Sequence, residues 1–461
     1  MESHLQRETS CLARTDWLAS EPVFYLADGS ACSRSAGELI RTASNLEIHP
    51  EGLYNYLDYG YSVFSQTPVK QLMFMPPCAE LVRRADGGFA CESGPDPYDQ
   101  IDRYRLSESD LIDLVRHKVQ EWERGLPGDQ EIVLPLSGGY DSRFLLWCLK
   151  DPSRVRAYTY GGSTDQTKSE DVVYARALAE RFNIRWEHVP LIAFNDYMDR
   201  WIDEFGPATH AHGMYHYEFF THIRRRLTGR HALLSGIFGD VWAGSIPPIS
   251  NLDVSKLASL GYTHGLKADR NAMLVPIDHA LRDGYWAEHK ERLTDPRYQI
   301  VTTIRLKIIL ISYLFRVPRL FNLEPWTPFL EPEVALAMLN LPQARRNNRQ
   351  WQRDFFQTEG LDLENQKIRG NRSNTLNLNA LRNKPLEPLG VEKLSRWIDP
   401  DYVHWVNREI RPGAMDYLRG RIAALPRAGA VFRRLGLGPA TVSAYSAYCC
   451  LKPLERLSPC D

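Results

Sequence analysis

The stretch Glu131-Ile132-Val133-Leu134-Pro135-Leu136-Ser137-Gly138-Gly139-Tyr140-Asp141-Ser142-Arg143 decides how this chain is read. An apolar run of strand length stops at Ser-Gly-Gly, and Phe144-Leu145-Leu146-Trp147-Cys148-Leu149 follows with helical character. The order is strand, glycine-rich turn, helix. Two glycines let the backbone come close to a ligand and adopt turn conformations closed to other residues. The start of the helix offers unpaired N–H groups and a partial positive charge, which suit a phosphate. Asp141 stands where a carboxylate can hold Mg²⁺ against such phosphates. No Gly-Lys-Ser/Thr follows the glycines, so this is not a Walker P-loop. A lone Ser-Gly-Gly equally describes a tight strand–helix turn with a serine cap. The longer string Ser-Gly-Gly-x-Asp-Ser after a buried strand is far more specific.

Working outward, residues 155–160 (Val-Arg-Ala-Tyr-Thr-Tyr) read as a second strand ending at Gly161-Gly162. A helix begins near Ser169-Glu170-Asp171 and sets Val172, Ala175, Leu178, Ala179 and Phe182 on one face. A third strand lies near residues 186–189. Strands alternating with helices imply an α/β fold with a doubly wound parallel sheet. Ligands of such sheets sit at the carboxyl ends of the strands, where residues 137–142 and 160–162 would meet. Asp171 reads either as a helix N-terminal charge or as part of that site.

Residues 205–217 carry Gly206-Pro207 and then His210, His212 and His216 among aromatics. His212 and His216 are four apart, but the spacings lack an open helical histidine pair with a nearby carboxylate and base, so a metal site has little support. Substrate or nucleotide contact and loop packing both remain open readings. A second signature follows at Ala232-Leu233-Leu234-Ser235-Gly236-Ile237-Phe238-Gly239-Asp240. A short apolar strand again ends in Ser-Gly, with an aspartate four residues after the glycine.

These strings resemble the pyrophosphate-binding loop and second loop of the asparagine synthetase-like ATP pyrophosphatases, a class that includes the β-lactam synthetases. The resemblance covers roughly residues 50–370. It implies a sheet of the ATP-pyrophosphatase (adenine nucleotide α-hydrolase-like) type. It also implies that Leu136, Ser137, Gly138, Gly139, Asp141, Ser142, Gly161, Ser235 and Gly236 hold ATP, with Asp141 and Asp240 on Mg²⁺. Leu323-Glu324-Pro325-Trp326-Thr327-Pro328-Phe329-Leu330-Glu331 is similar to the family string Leu-Glu-x-Arg-x-Pro-Phe-Leu-Asp. By that match Glu324 is an acid/base or substrate-amine residue, or else part of a structural ion pair. Gln366-Lys367-Ile368-Arg369 resembles the family's Arg-x-Lys segment, whose lysine neutralises charge as AMP leaves. Arg369 and Arg372 lie close to Lys367 in the chain.

The departures are as informative. Ile237 stands where the family has a catalytic glutamate, and an isoleucine cannot take a proton. Val241 and Trp326 also replace the family's glutamate and arginine. Arg143 replaces its usual serine, either adding charge near the phosphates or pairing with a surface acid. Glutamine-using members carry a cysteine after the initiator Met; here Glu2 occupies that place. The segment ahead of the loop looks too short for a complete glutaminase sandwich. Cys11 is a poor substitute, because that nucleophile needs a free terminal amine beside it.

The 461 residues carry 56 Lys+Arg against 57 Asp+Glu, a balance that argues against a dedicated nucleic-acid or membrane-surface binder. The eight cysteines form no Cys-x-x-Cys pair. No long apolar run or apolar signal core occurs, so the expected location is cytoplasmic. The expected organisation is a truncated β-rich unit over residues 1–100, a glutaminase-like remnant without its nucleophile. A synthetase domain over 105–375 and a helical extension over 376–461 follow. Within the first unit, residues 22–26 read as a strand, 27–30 as a hairpin turn, 52–61 as a short helix and 69–91 as further strands.

The resemblance implies an AMP-forming amide ligase without intrinsic glutaminase activity. A small-molecule or peptide carboxylate would be adenylated by ATP, and ammonia or an amine would then displace AMP. A separate glutaminase or pathway partner could supply the nitrogen. Such relatives serve natural-product and cell-surface sugar biosynthesis. The alternatives are intramolecular ring closure of the β-lactam synthetase type and a non-catalytic ATP-binding partner protein. Transfer RNA thiolation by the same loop lacks paired catalytic cysteines or a strongly basic face.

Overall fold

The computed structural model describes residues 11–261, 266–366, 368–411, 413–423 and 440–457. Glu2, Lys367 and Cys460 lie outside them. Among the described residues the N-terminal part holds six short strands: β1 (Cys11–Arg14), β2 (Phe24–Leu26), β3 (Cys32–Ser33), β4 (Leu72–Phe74), β5 (Ala79–Arg83) and β6 (Phe89–Ser93). They form two antiparallel three-stranded sheets, ordered β1-β5-β6 and β3-β2-β4. Alternation along β2 sends Tyr25 into a small core with Met75, Leu81 and Phe89, while Phe24 and Leu26 join the main core. The helix Pro50–Tyr59 ends where Gly60 turns left-handed at φ +79.

Asp96, in the connector after β6, fastens this part to the rest. It accepts 2.8 Å hydrogen bonds from both terminal nitrogens of Arg305 and one of 2.8 Å from Arg292. Burial pushes the Asp96 carboxyl up, but Arg305 and Arg292 outweigh it and bring the group down to about 2. A depressed carboxyl contributes stability that is complete above its unfolded value of about 3.9 and fades as pH falls toward the folded one. Asp96→Asn should therefore cost about 2 kcal/mol near neutral pH. Urea titrations of both proteins at pH 7 and at stepwise lower pH should show the gap closing below about pH 4; a gap constant with pH would contradict this.

The central sheet is built from β7 (Ile132–Pro135), β8 (Val155–Thr159), β9 (Arg185–His188), β10 (His231–Leu234) and β11 (Leu323–Trp326). Its order is β11-β10-β7-β8-β9 and every pairing is parallel. The chain runs outward from β7 in one direction, then returns to add β10 and β11 on the other side. The switch point thus lies between β7 and β10, where an open α/β sheet leaves a crevice. Both faces are covered: Ile132 and Leu134 enter one core cluster, and Val133 the other. The helix Ala440–Glu455 is buried in that second cluster, and the Tyr56 hydroxyl donates to the Cys450 carbonyl at 2.9 Å. Among the described residues no helix is long and apolar enough to cross a membrane.

Candidate active site at the carboxyl ends of the strands

The glycine loop leaves β7 at the switch point. Leu136 continues the ladder by donating to the Tyr158 carbonyl at 2.9 Å. Gly138 then turns left-handed at φ +71, and a Cβ there would lie 2.3 Å from the Cβ of Tyr174. Both conditions require glycine. Gly139 precedes the helix Tyr140–Cys148, and its N–H approaches the Ser137 hydroxyl at 3.3 Å. Ser142 in the first turn donates to the Gly139 carbonyl at 3.4 Å.

The second loop leaves β10 beside it. A Cβ on Gly236 would lie 3.0 Å from the Asp141 Cβ, and one on Gly239 would lie 2.8 Å from the Asp141 carboxyl. The two glycines of the second signature therefore have a physical reason. Gly236 and Gly239 together make the slot that receives Asp141. Phe238 between them is left-handed at φ +70. Asp240 follows, its carboxylate accepting from the Ser245 hydroxyl at 2.9 Å.

Asp141 exposes 18% of its side chain, and its Oδ1 has no hydrogen-bond partner. Its Oδ2 lies 3.8 Å from Arg349. Burial first, then the neighbouring Asp240 charge, push the Asp141 carboxyl up to about 7, with Arg349 opposing. Two acids with an orphaned oxygen suit a divalent cation that prefers oxygen ligands. Among the described residues no group of three or more His, Cys, Asp or Glu side chains could hold a metal. A cation here would complete its shell with phosphate and water oxygens, as Mg²⁺ commonly does.

A cavity of about 420 Å³ opens over these loops. Leu136, Ser137, Gly139, Asp141 and Ser142 line it from β7, and Ser235 and Gly236 from β10. Seven of the expected ATP residues thus meet in one place. Gly138 sits behind them against Tyr174. Gly161 lies just past the cavity residue Tyr160, where a Cβ would meet the Gln166 carbonyl at 2.2 Å. The far wall carries Tyr160, His216, Phe219 and Phe220.

Of the three histidines only His216 lines this cavity. Burial drives its pKa down to about 3, so the ring is neutral, and its Nδ1 has no partner. His212 accepts from the Asn377 amide at 3.0 Å, and His210 accepts from the His212 N–H at 3.2 Å. Asp171 also faces the cavity, raised to about 6 by burial and then by Glu170.

Glu324 is elsewhere. The register sets it beside Ala232, which pairs with Ile132, at the amino ends of the strands. It accepts from Arg230 at 2.5 Å and from Arg319 at 3.0 Å. Burial opposes, but these guanidinium groups hold its carboxyl below the usual range. It lines a separate cavity with Trp122 and Trp326, whose rings stack 4.9 Å apart. The acid/base expectation for Glu324 is corrected: it belongs to an ion-pair network at the opposite end of the sheet.

Lys367 is not described, but both flanks of its segment are anchored. Arg143 holds the Leu361 carbonyl and Glu364 on one side. On the other, Asn371 exchanges backbone hydrogen bonds of 2.7 and 3.0 Å with Lys168 and Glu170. Arg372 pairs with Glu170. Arg143 is itself fully buried and pairs with the exposed acid Glu364, the second of its two expected roles, while also donating to the Gly138 carbonyl.

Sequence reasoning missed two cations. Arg349 reaches Asp141 from a turn in which Asn348 and Arg349 are both left-handed, at φ +52 and +57. The Asn347-Asn348 pair was the available turn signal. Lys307, on the helix Pro296–Ile311, is lowered to about 8 by burial against the opposing charge of Asp240. A lysine inside an apolar helix gave no such indication.

No curated protein matches the chain. Among solved structures it is similar to the NH3-dependent NAD synthetase from Campylobacter jejuni subsp. jejuni NCTC 11168 in complex with the nitrate ion. Identity is 13%, over 45% of this chain and 96% of that one, with a TM-score of 0.24. A likeness that low carries no weight for activity. A model of the asparagine synthase family matches residues 122–358, a span that contains both loops and the whole central sheet. With just over half of its length inside that match, the chain belongs to the asparagine synthase family of ATP-dependent amide-forming ligases.

Proposed function

We propose that the protein activates a carboxylate as an acyl-adenylate and passes the acyl group to ammonia or an amine. The observation that carries this reading is the Asp141–Asp240 carboxylate pair beside the glycine loop, at the sheet's switch point. ATP would lie with its phosphates on Ser137, Gly139, Ser142 and the loop helix, and with adenine against the aromatic wall at Tyr160 and Phe219. Leu136, Gly138, Gly161, Ser235 and Gly236 shape the rest of that bed. Asp141 and Asp240 would hold Mg²⁺, which supplies charge neutralisation to the pyrophosphate as it leaves.

In the first step a substrate carboxylate oxygen attacks the α-phosphorus, and the bond to the bridging oxygen of pyrophosphate breaks. In the second step nitrogen attacks the acyl carbon and AMP departs, while the nitrogen loses a proton. Lys367 is the proposed cation for the charge that builds on the departing AMP. With Ile237 in place of the family glutamate, ordinary asparagine synthesis is disfavoured and the substrate is another small-molecule or peptide carboxylate. Residues 105–375 form the synthetase domain in this reading, with the β-rich unit of residues 1–100 before it and the helical extension of 376–461 after it. Nitrogen comes from solution or from a separate glutaminase. The free cysteines among the described residues suit a cytoplasmic setting.

The test uses a panel of carboxylates with ATP, Mg²⁺ and ammonium. Pyrophosphate and an amide should form with the correct carboxylate, and glutamine should not replace ammonium in the pure protein. Lys367→Ala should keep carboxylate-dependent ATP–pyrophosphate exchange and lose amide formation by about 10²-fold or more. Equal loss of both would remove Lys367 from the second step.

A further inference from the structure

We infer that Arg143 is a positioning residue of the glycine loop. Its buried guanidinium fixes the plane of the Gly138–Gly139 peptide and so turns the Gly139 N–H toward the cavity. The inference rests on reading that loop as the phosphate site.

Arg143 is 0% exposed. Its Nη2 donates to the Gly138 carbonyl at 2.6 Å and its Nη1 to the Leu361 carbonyl at 2.9 Å. The same two nitrogens make a bidentate pair with Glu364, at 2.9 and 3.0 Å. The guanidinium also lies 5.0 Å from the Phe356 ring centroid and 5.2 Å from that of Tyr140. Burying such a charge is costly unless it is paired and hydrogen-bonded, and an apolar side chain of similar volume would fill the space without that cost. The charge is spent on two backbone carbonyls and one acid.

The Gly138 carbonyl is the informative partner. In a trans peptide the C=O of one residue and the N–H of the next lie in one plane and point in opposite directions. No peptide in the described chain is cis. Holding the Gly138 oxygen inward on Arg143 therefore aims the Gly139 N–H outward. There it meets the Ser137 hydroxyl at 3.3 Å, and both residues line the cavity. A Gly-Gly peptide has little intrinsic preference between its two faces. An unrestrained loop would populate the flipped plane, which presents a carbonyl oxygen to a phosphate instead of a donor. Arg143 acts from behind the loop, four positions further along the chain than Gly139, and touches no ligand itself. Through Leu361 and Glu364 it also ties the loop to the segment leading into residues 366–372.

The experiment compares two probes, inorganic pyrophosphate with Mg²⁺ and adenosine, on the full chain and on Arg143→Lys, Arg143→Met and Glu364→Gln. The unsubstituted protein should bind both. Arg143→Met should weaken pyrophosphate binding by about tenfold, the worth of one well-aimed hydrogen bond, and leave adenosine binding unchanged. Arg143→Lys should recover part of the loss, and Glu364→Gln should show a smaller loss of the same kind. If the methionine variant does not fold, the other two carry the comparison. A role confined to stability would lower the melting temperature without separating the probes. Folded variants in which both affinities fall together, or neither falls, overturn the inference alone. Adenosine binding without pyrophosphate binding in the unsubstituted protein overturns the phosphate-site reading, and the inference with it.

Discussion

Asp141→Asn is expected to abolish pyrophosphate release, by on the order of 10³-fold, while the protein remains folded and becomes more stable. The two effects have one cause. Asp141 is largely buried, faces Asp240, and has an oxygen without any partner. Removing its charge relieves desolvation and like-charge repulsion, and the opposing Arg349 contact at 3.8 Å is too long to compensate. A gain of about 1 kcal/mol is expected in urea unfolding without Mg²⁺ or ATP. The functional loss follows because an amide supplies one neutral oxygen where a cation bound to pyrophosphate needs a carboxylate. Paired measurements of release and stability check this directly. A variant that keeps most of its activity, or that loses activity only because it unfolds, would contradict the assignment.

Gly138→Ala is expected to be severely damaging for a single added methyl group. The left-handed φ of +71 costs an alanine roughly 1 kcal/mol. Its Cβ would lie 2.3 Å from the Tyr174 Cβ, a backbone-proximal atom that cannot swing away. Overpacking of that kind adds about 1–3 kcal/mol. Relief must come from moving the loop away from the helix Glu170–Phe182, which also displaces the Gly139 N–H. The expected result is a loss of about 2–4 kcal/mol in unfolding free energy together with loss of pyrophosphate binding. Gly128→Ala is the control: nothing lies within 4 Å of its Cβ position, so a change within about 0.5 kcal/mol is expected. Like behaviour of the two alanine variants would show that the loop is not close-packed against Tyr174.

The central sheet and its loop were legible because their signals are local. A buried strand, Ser-Gly-Gly and an apolar helix lie within about twenty residues, and alternation of strand and helix sets the parallel sheet. The meeting of Asp141 with Asp240 was legible only through the pairing of two similar strings. What no string shows is which end of a strand a residue occupies. Glu324 fitted a motif, yet the register with Ala232 puts it at the amino end, beyond reach of the loop. Arg143 was unreadable for another reason. Its partner Glu364 lies 221 positions away in the chain, so a phosphate contact and a pair with a surface acid stood as equal readings. His216 stood among three equivalent histidines until the fold turned one ring toward the cavity. The helix Ala440–Glu455 read as part of a tail, yet it fills the core on the second face of the sheet.

The most direct measurement follows ATP labelled on its γ-phosphate, with Mg²⁺, ammonium and a panel of carboxylates. Attack at the α-phosphorus releases the label as pyrophosphate, with unlabelled AMP appearing in equal amount, and only in the presence of a particular carboxylate. Label recovered as orthophosphate alongside ADP would place the cleavage at the γ-phosphorus and contradict an adenylating site.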